Sequence, residues 1–574
     1  MDDKPGRMER VWTLMEPPLD GGENLSRGLG LHPVTALLLA RRGIRTVSAA
    51  SDFLNPSTAT VPDPFLLPDA EQAVDRLIRA IDSGESILVH GDYDVDGVTS
   101  AALLTRVLGK LGAKVRPFVP SRARDGYGVS VAALERAAAE GVSLILTADC
   151  GITAFDACTR ARQLGLDVVV SDHHEPADTL PEAFAVVDPL VPGSSYPFRG
   201  LAGVGVAYKL CQALCLRRGV DLDALHRHFL DLVALGTVSD CVPLLDENRA
   251  YVYHGLRSMG TSQKEGIRAL LRLSGLGESL GTEDVGFRLG PRINAAGRLA
   301  EADEALELLL TRDSARAEEL ATILTERNTQ RQQEQRRIQA EAIQAIFETG
   351  ISEDAVLVVG REGWHPGVIG IVAGKLVETF YRPAVVLTLR DGHWHGSARG
   401  IPGFHWARAL EELGEDLVRG GGHAMAAGLS LPRERLREFR VAVNELAQQW
   451  LSPADLQPRL EVEAEVPVEQ LSFQLAQEVV RLAPFGEGNP EPVLMSSRVR
   501  LDNVRCVGEG GRHLRAELRG APGPVSVVGF GMGDAVSSLS GDRLFKICYN
   551  LRVSAYNGSG RAEIVLRDLP AVQE

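Results

Sequence analysis

The segment Leu166-Asp167-Val168-Val169-Val170-Ser171-Asp172-His173-His174 passes from an apolar run directly into an acid and two adjacent imidazoles. A short β-branched run of this kind reads as a buried strand, which puts the polar tripeptide where the strand opens into a loop. Imidazole is the commonest neutral metal ligand near neutral pH, and a buried polar group is costly unless paired or bound to an ion. A metal site is therefore the first hypothesis, and a solvated pair of loop histidines is the alternative; the tripeptide alone does not decide between them.

Around this segment, from about residue 70 to 200, helical and strand patterns alternate. Residues 72–81, 98–111, 131–139 and 154–164 read as helices, and 87–90, 115–119, 144–147 and 168–170 as strands. Short apolar runs separated by helices argue for a parallel sheet covered on both faces, and ligands of such sheets gather at the carboxyl ends of the strands. The first strand ends in His90-Gly91-Asp92-Tyr93-Asp94-Val95-Asp96-Gly97 and the third in Ala148-Asp149-Cys150-Gly151. The fourth ends in Asp172-His173-His174, and a further apolar run, 233–239, is terminated by Asp240. Several carboxylates on one rim repel one another and raise each other's pKa. Bound divalent cations remove that conflict, so the convergence selects the metal hypothesis.

The 574 residues exceed what one core serves, so three or four domains are expected. No apolar run is long enough to span a bilayer and Met1-Asp2-Asp3-Lys4-Pro5 lacks a signal-peptide pattern, so the expectation is a cytoplasmic protein with no membrane partner. Seven cysteines without a CxxC pair fit a reducing compartment, and Cys211 and Cys215 read as core residues. The net charge of -15 excludes a surface that binds polyanions everywhere but allows a local basic track.

Residues 1–60 show a short helical pattern in which Arg41 and Arg42 read either as a nucleic-acid contact or as a solvated helix end. Residues 201–310 read as mostly helical. There Arg292, Asn294 and Arg298 stand among small residues, as phosphate contacts or as a salt-bridged connection. Residues 313–349 contain neither Gly nor Pro; a helix of that length spans roughly 50 Å and suits a spacer between two lobes flanking a substrate cleft. Residues 350–452 repeat an α/β pattern punctuated by Gly396-Ser397-Ala398-Arg399 and Gly420-Gly421-Gly422-His423. The glycine run is expected to precede a helix over 424–429 and offer backbone N–H groups to an anion, with a flexible loop as the alternative. Trp364 and His365 read as a base-stacking pair or as core. Beyond residue 453, short strands between Gly-rich turns suggest a small OB-like barrel, with Arg498, Arg500, Arg505, Arg512, Arg515 and Arg519 as a local positive track.

His90 with Asp94 and Asp96, Asp149, Asp172-His173-His174 and Asp240 together resemble the motif blocks of the DHH phosphoesterase superfamily. Within it the chain is similar to the RecJ family of single-strand-specific exonucleases. Val89-His90-Gly91-Asp92-Tyr93-Asp94, Thr147-Ala148-Asp149-Cys150-Gly151-Ile152-Thr153, Pro291-Arg292-Ile293-Asn294-Ala295-Ala296-Gly297-Arg298 and Pro484-Phe485-Gly486-Glu487-Gly488-Asn489-Pro490 carry that similarity. The resemblance implies an α/β protein in which an N-terminal segment (1–60) leads into a parallel-sheet DHH domain (61–310). A connecting helix (311–349) then joins a second α/β, DHH-associated domain (350–452), and an OB-like β-barrel (453–574) follows.

It also implies a single-stranded-DNA-specific 5′-3′ exonuclease of DNA repair and recombination that releases 5′-mononucleotides by two-metal hydrolysis. Asp149 is the expected shared ligand, His90 and Asp94 completing one ion site and Asp96, His173 and Asp240 the other. Mixed imidazole and carboxylate ligation suits Mn²⁺, with Mg²⁺ as the other candidate. Asp172 is expected to support a neighbouring imidazole, His174 to face the substrate phosphate, and Ser397, Arg399 and His423 to contact the nucleotide. Asp92 reads either as part of the centre or as a turn residue. The implied setting is a monomer acting on single-stranded DNA beside a RecQ-like helicase and single-strand-binding protein. The competing readings are a hydrolase of pyrophosphate, short oligonucleotides or cyclic dinucleotides, and a non-catalytic DNA-binding relative.

Overall fold

A computed structural model describes residues 8–18, 22–120, 128–299, 302–539, 543–554 and 560–569. They form two compact units. Ser48–Thr329 and Leu482–Glu491 make one, and the described residues of Met1–Val47, Gln330–Arg481 and Pro492–Glu574 make the other.

In the second unit the N-terminal strand β1 (Val11–Leu14) pairs in parallel with a strand far along the chain, described below. The first unit is built on β2 (Ser86–Gly91), β3 (Lys114–Phe118), β4 (Val142–Ala148), β5 (Asp167–Ser171) and β6 (Ala185–Val187), all parallel in the order β3-β2-β4-β5-β6. Successive residues of a strand point to opposite faces, and the core divides accordingly. Ile87, Val89, Leu144, Leu146 and Val169 pack with the helices Ala70–Ser83, Val95–Lys110 and Gly203–Arg217. Leu88, Ile145, Val168 and Val170 pack with Val131–Ala139 and Phe155–Gln163 on the other side. Each fully buried Leu, Ile or Val contributes about 1.5–3 kcal/mol relative to exposure. Cys211 and Cys215 belong to the first of these cores.

Strand β6 is absent from the sequence-based expectation because three residues are too few to show a period. The loop Leu482–Glu491, inside the segment expected to form the barrel, belongs to the first unit. Its Glu487 carbonyl accepts from Leu244 N–H at 2.8 Å, and Arg249 donates to the Ala483 carbonyl at 2.9 Å.

The helix Ser314–Glu348 runs unbroken for 35 residues, roughly 50 Å at about 1.5 Å per residue. In the second unit, β7 (Leu357–Gly360), β8 (Ala384–Arg390), β9 (His393–Arg399), β10 (Arg419–Gly422) and β11 (Ala426–Pro432) form a sheet in the order β10-β11-β9-β8-β7. The helix expected over 424–429 is instead most of β11. Ala427, Leu429 and Leu431 are buried and alternate with more exposed neighbours, and the glycine run is the strand it pairs with. Six residues carry too little periodicity to separate a short helix from a strand, and the sheet's hydrogen bonds decide. The anion site expected at a helix N-terminus is therefore not present at Gly420–Gly422.

Two open readings are decided. Trp364 is core, its indole N–H donating to Glu341 at 2.8 Å. Arg41 and Arg42 are half-buried and engaged within the second unit: Arg41 donates to the Met15 and Glu16 carbonyls, and Arg42 pairs with Glu463 at 2.8 Å.

Beyond β12 (Arg459–Val462), the partner of β1, lies a sheet of β13 (Ala464–Glu465), β14 (Leu494–Val507), β15 (His513–Arg519), β16 (Val525–Gly529), β17 (Phe545–Ser554) and β18 (Arg561–Asp568). Its order is β13-β14-β15-β16-β18-β17, and an additional β14–β17 pairing closes a five-stranded barrel. Among the described residues no helix is long and apolar enough to cross a membrane.

Candidate metal centre

Acids follow β2, β4, β5 and β6 directly, so a parallel sheet delivers Asp92, Asp149, Asp172 and Asp188 to one rim. Asp94 caps the helix Val95–Lys110, accepting from Gly97 N–H at 3.0 Å, and Asp96 sits in that helix's first turn. Asp96 accepts from the Gly203 and Val204 N–H groups at 2.6 and 2.9 Å, so it also caps the helix Gly203–Arg217. Asp240 arrives on the last turn of Leu222–Asp240. Asp149 adopts a left-handed backbone, φ 65°, a conformation that Asp tolerates better than most residues.

His173 organises the centre. Its Nδ1 lies 2.9 Å from the Leu201 carbonyl, which can only accept, so Nδ1 carries the proton and the neutral ring presents a lone pair at Nε2. Nε2 lies 3.2 Å from Asp149, 3.6 Å from Asp240 and 3.9 Å from Asp96. Burial pushes the His173 pKa down despite nearby Asp240, so the ring does not carry a proton to share among these acids. Burial, then the neighbouring acids, push Asp96 and Asp149 well up, and burial raises Asp240. Asp92 is lifted to about 7, first by burial and then by Asp94.

Once these carboxyls are ionised, acceptors face acceptors in a buried space. The Asp149 Oδ1, His173 Nε2 and Asp92 Oδ1 atoms are buried without a hydrogen-bond partner. A divalent cation is the ligand that such a donor set fits. Donor atoms of Asp96, His173 and Asp240 lie within 4.8 Å of one another, as do those of Asp92, Asp94 and Asp149 and those of Asp149, His173 and His174.

Of the expected ligands, the structure brings Asp96, His173 and Asp240 into one group and Asp94 and Asp149 into another. His90 is outside these groups: wholly buried, it accepts from Ser130 N–H at 3.2 Å through Nε2, and its Nδ1 lies 3.9 Å from Cys150 Sγ. Asp92, left between ligation and turn, stands in the group with Asp94 and Asp149.

Asp172 does not face the ions. Its Oδ2 accepts from Ile152 N–H at 2.9 Å, and its Oδ1 accepts from His173 N–H and from His174 Nδ1 at 2.8 and 2.7 Å. Burial would raise Asp172, but the His174 hydrogen bond and charge hold it below the usual carboxylate range. The same bond lifts His174 to about 9, so at neutral pH it is a partly exposed imidazolium at the edge of the centre. Removing the buttress by Asp172→Asn is expected to lower turnover about 10–100-fold and to move the alkaline limit of the pH–rate profile to lower pH. An unmoved limb in a folded variant would count against this role.

Two contributions escape sequence reasoning. Asp188 is wholly buried at the end of β6, accepts from Leu190 N–H at 2.7 Å, and is pushed up to about 8 by burial. Its signal, an apolar run ended by an acid, is present in the sequence but too short to register. Gly203 leaves no signal: a Cβ there would stand 2.4 Å from Asp149 Oδ1. Gly203→Ala is expected to displace that carboxylate and cost about 100-fold in kcat with an unchanged circular-dichroism spectrum.

The remaining predicted contacts divide between the units. In the first, Arg292 donates through Nε to Thr325 at 3.3 Å and also to the Arg288 carbonyl, and Asn294 shares its helix, Gly290–Leu299. Arg298 lies on that helix too, but its side chain falls outside the described residues. In the second, Ser397 and Arg399 are on β9, where Arg399 donates to Ser397 Oγ at 3.0 Å and to the Ala398 carbonyl at 2.7 Å. Both partners are neutral, so the guanidinium charge is retained. His423 is exposed at the β10–β11 turn.

Comparison with known proteins matches three family models in chain order: the DHH family N-terminal domain over residues 86–237, the DHHA1 domain over 353–449 and the RecJ OB domain over 462–568. The chain is 38% identical over 561 residues to the single-stranded-DNA-specific exonuclease RecJ of Bacillus subtilis (strain 168), spanning 97% of this chain and 70% of the relative. It is 35% identical to RecJ of Escherichia coli (strain K12), spanning 94% and 96%. The crystal structure of RecJ in complex with Mn²⁺ from Thermus thermophilus is similar at 32% identity and a TM-score of 0.83, over 98% of this chain and 80% of that one. The Mg²⁺ complex from the same source matches at 30% identity and a TM-score of 0.77, over 98% and 79%.

Proposed function

Because the chain belongs to the RecJ family of DHH proteins, we propose that it is a metal-dependent exonuclease that degrades single-stranded DNA from the 5′ end and releases 5′-mononucleotides. The observation that carries this reading is the juxtaposition of two donor groups, Asp96 with His173 and Asp240 and Asp92 with Asp94 and Asp149, joined by the 3.2 Å approach of Asp149 to His173. We assign two divalent ions, Mn²⁺ or Mg²⁺, to these groups, with Asp149 as the ligand that both would use; they would supply an activated water and neutralise charge on the phosphodiester.

The chain's own residues do the rest. The Leu201 carbonyl holds the His173 ring so that Nε2 faces the acids. Asp172 keeps His174 protonated, and the imidazolium supplies positive charge for a phosphate oxygen. Arg292, Asn294 and Arg298 in the first unit, and Ser397, Arg399 and His423 in the second, are assigned to phosphate and nucleotide contact, and the barrel to the single strand. In the cell the protein would act as a monomer in DNA repair and recombination, beside a RecQ-like helicase and single-strand-binding protein.

Digestion of end-labelled single strands and duplexes during a Mn²⁺ titration tests this. Labelled mononucleotide is expected at once from a 5′-labelled single strand, late from a 3′-labelled one, and not from a blunt duplex. Faster turnover of pyrophosphate or a dinucleotide than of a long single strand would overturn the assignment.

A further inference from the structure

The first unit holds a second concentration of charge, of the opposite sign to the metal centre. A cavity of about 200 Å³ is lined by the end of the helix Val95–Lys110, the helix Leu222–Asp240 and the segment that follows Asp246–Gly260. Four cations, Arg106, Lys110, Arg227 and Lys264, line it, against one carboxylate, Asp231.

That carboxylate is already engaged. Lys264 Nζ lies 2.8 Å from Asp231 Oδ1, and Ser262 donates to its Oδ2 at 2.6 Å. Arg106 donates to the Leu309 carbonyl at 2.9 and 2.7 Å, which orients the guanidinium without neutralising it. Lys110 and Arg227 are exposed, and no acid among the described residues pairs with either. The Phe229 ring carries both lysines, with Lys110 Nζ 5.8 Å and Lys264 Nζ 5.2 Å from its centroid. Burial, then Arg312, push the Arg106 pKa down, and burial, then Lys110, Lys264 and Arg227, do the same to His228.

The cavity is separate from the catalytic rim. Arg106 and Lys110 stand near the far end of the helix whose first turn carries Asp96, roughly 15–20 Å away along its axis at about 1.5 Å per residue. A chain of net charge -15 that gathers four cations around one engaged acid presents a field for an anion. The Arg227 guanidinium fork with the Lys110 ammonium point charge suits the several oxygens of a phosphate, whereas a peptide carboxylate needs only one such partner.

We propose that this cavity binds a phosphate group, carried either by a free phosphate or phosphate monoester or by the backbone of a nucleic-acid strand. Equilibrium binding to the full metal-free chain tests this independently of any nuclease activity. The probes are inorganic phosphate, thymidine 5′-monophosphate, thymidine, a 5′-hydroxyl oligothymidylate and a glutamate-rich peptide, all at one ionic strength. Phosphate-bearing probes are expected to bind the native chain at least about tenfold more tightly than the Lys110→Glu/Arg227→Glu variant, and thymidine is expected not to bind. A tenfold difference with inorganic phosphate and the monophosphate assigns a free source, and one with the oligothymidylate alone assigns the backbone. Should the double reversal not fold, Lys110→Gln/Arg227→Gln, checked by an unchanged melting temperature, takes its place. Equal affinity of native and variant chains for every phosphate probe, or discrimination of the acidic peptide alone, overturns the proposal.

Discussion

Asp149→Asn is expected to reduce mononucleotide release from single-stranded DNA by on the order of 10³-fold, through kcat rather than KM. Asp149 belongs to two of the three donor groups and lies 3.2 Å from Nε2 of His173, which belongs to the remaining one, so its loss affects both proposed ions at once. The amide keeps the shape, and therefore the approach to Gly203, while removing the charge. A second consequence has the opposite sign. Burial and the surrounding acids make this carboxylate costly to ionise, so the metal-free Asn variant is expected to melt higher than the metal-free native chain. Calorimetry of Mn²⁺ binding completes the test. An Asn variant with native Mn²⁺ stoichiometry and turnover within tenfold of native would remove Asp149 from the centre.

The stability of the metal-free chain is expected to fall by on the order of a few kcal/mol between pH 6 and 9, and saturating Mn²⁺ is expected to reverse the slope. Asp92 is raised from 3.8 to about 7 and Asp188 from 3.8 to about 8, chiefly by burial. Between the unfolded and folded values the native state binds more protons than the unfolded chain, so stability declines as pH rises through that interval and is recovered on acidification. His174, raised from 6.5 to about 9 by its bond to Asp172, acts in the same direction from pH 6.5 upward. Asp172, whose folded pKa is depressed, loses its contribution only in acid, below the ordinary carboxylate range. Cations bind the deprotonated donors, so their stabilisation grows with pH where protons no longer compete. Melting curves in chelator and in Mn²⁺ across this range provide the measurement. Parallel slopes in the two would mean that the acids of the rim do not share a metal.

Much of this centre is legible in the chain because a parallel sheet places its ligands by a rule that sequence can follow. Asp92, Asp149 and the tripeptide at 172–174 each end an apolar run, and the fold turns run ends into neighbours. The rule works only where the run is long enough to be seen, which is why Asp188, after the three residues of β6, is missed. It also cannot say which way a side chain turns. His90 ends a strand as Asp149 does, yet its Nε2 is engaged by the Ser130 N–H, while Asp92 two residues on stands with Asp94 and Asp149. The glycines at 420–422 show the same ambiguity in backbone form, since a strand edge and a helix approach look alike over so few residues.

Residue order alone determined the alternation of helix and strand, the acids and imidazoles at the strand ends, the uninterrupted helix and the barrel, because each follows from local periodicity or from where an apolar run stops. The tertiary structure decided the exchangeable details. It chose Leu201 as the acceptor that fixes the His173 tautomer, Gly203 as the position that must lack a side chain beside Asp149, and Asp172 as a buttress for His174. It also brought Arg106, Lys110, Arg227 and Lys264 around one cavity. These are contacts between segments far apart along the chain, set by packing geometry at the scale of a hydrogen bond, and no local pattern encodes them.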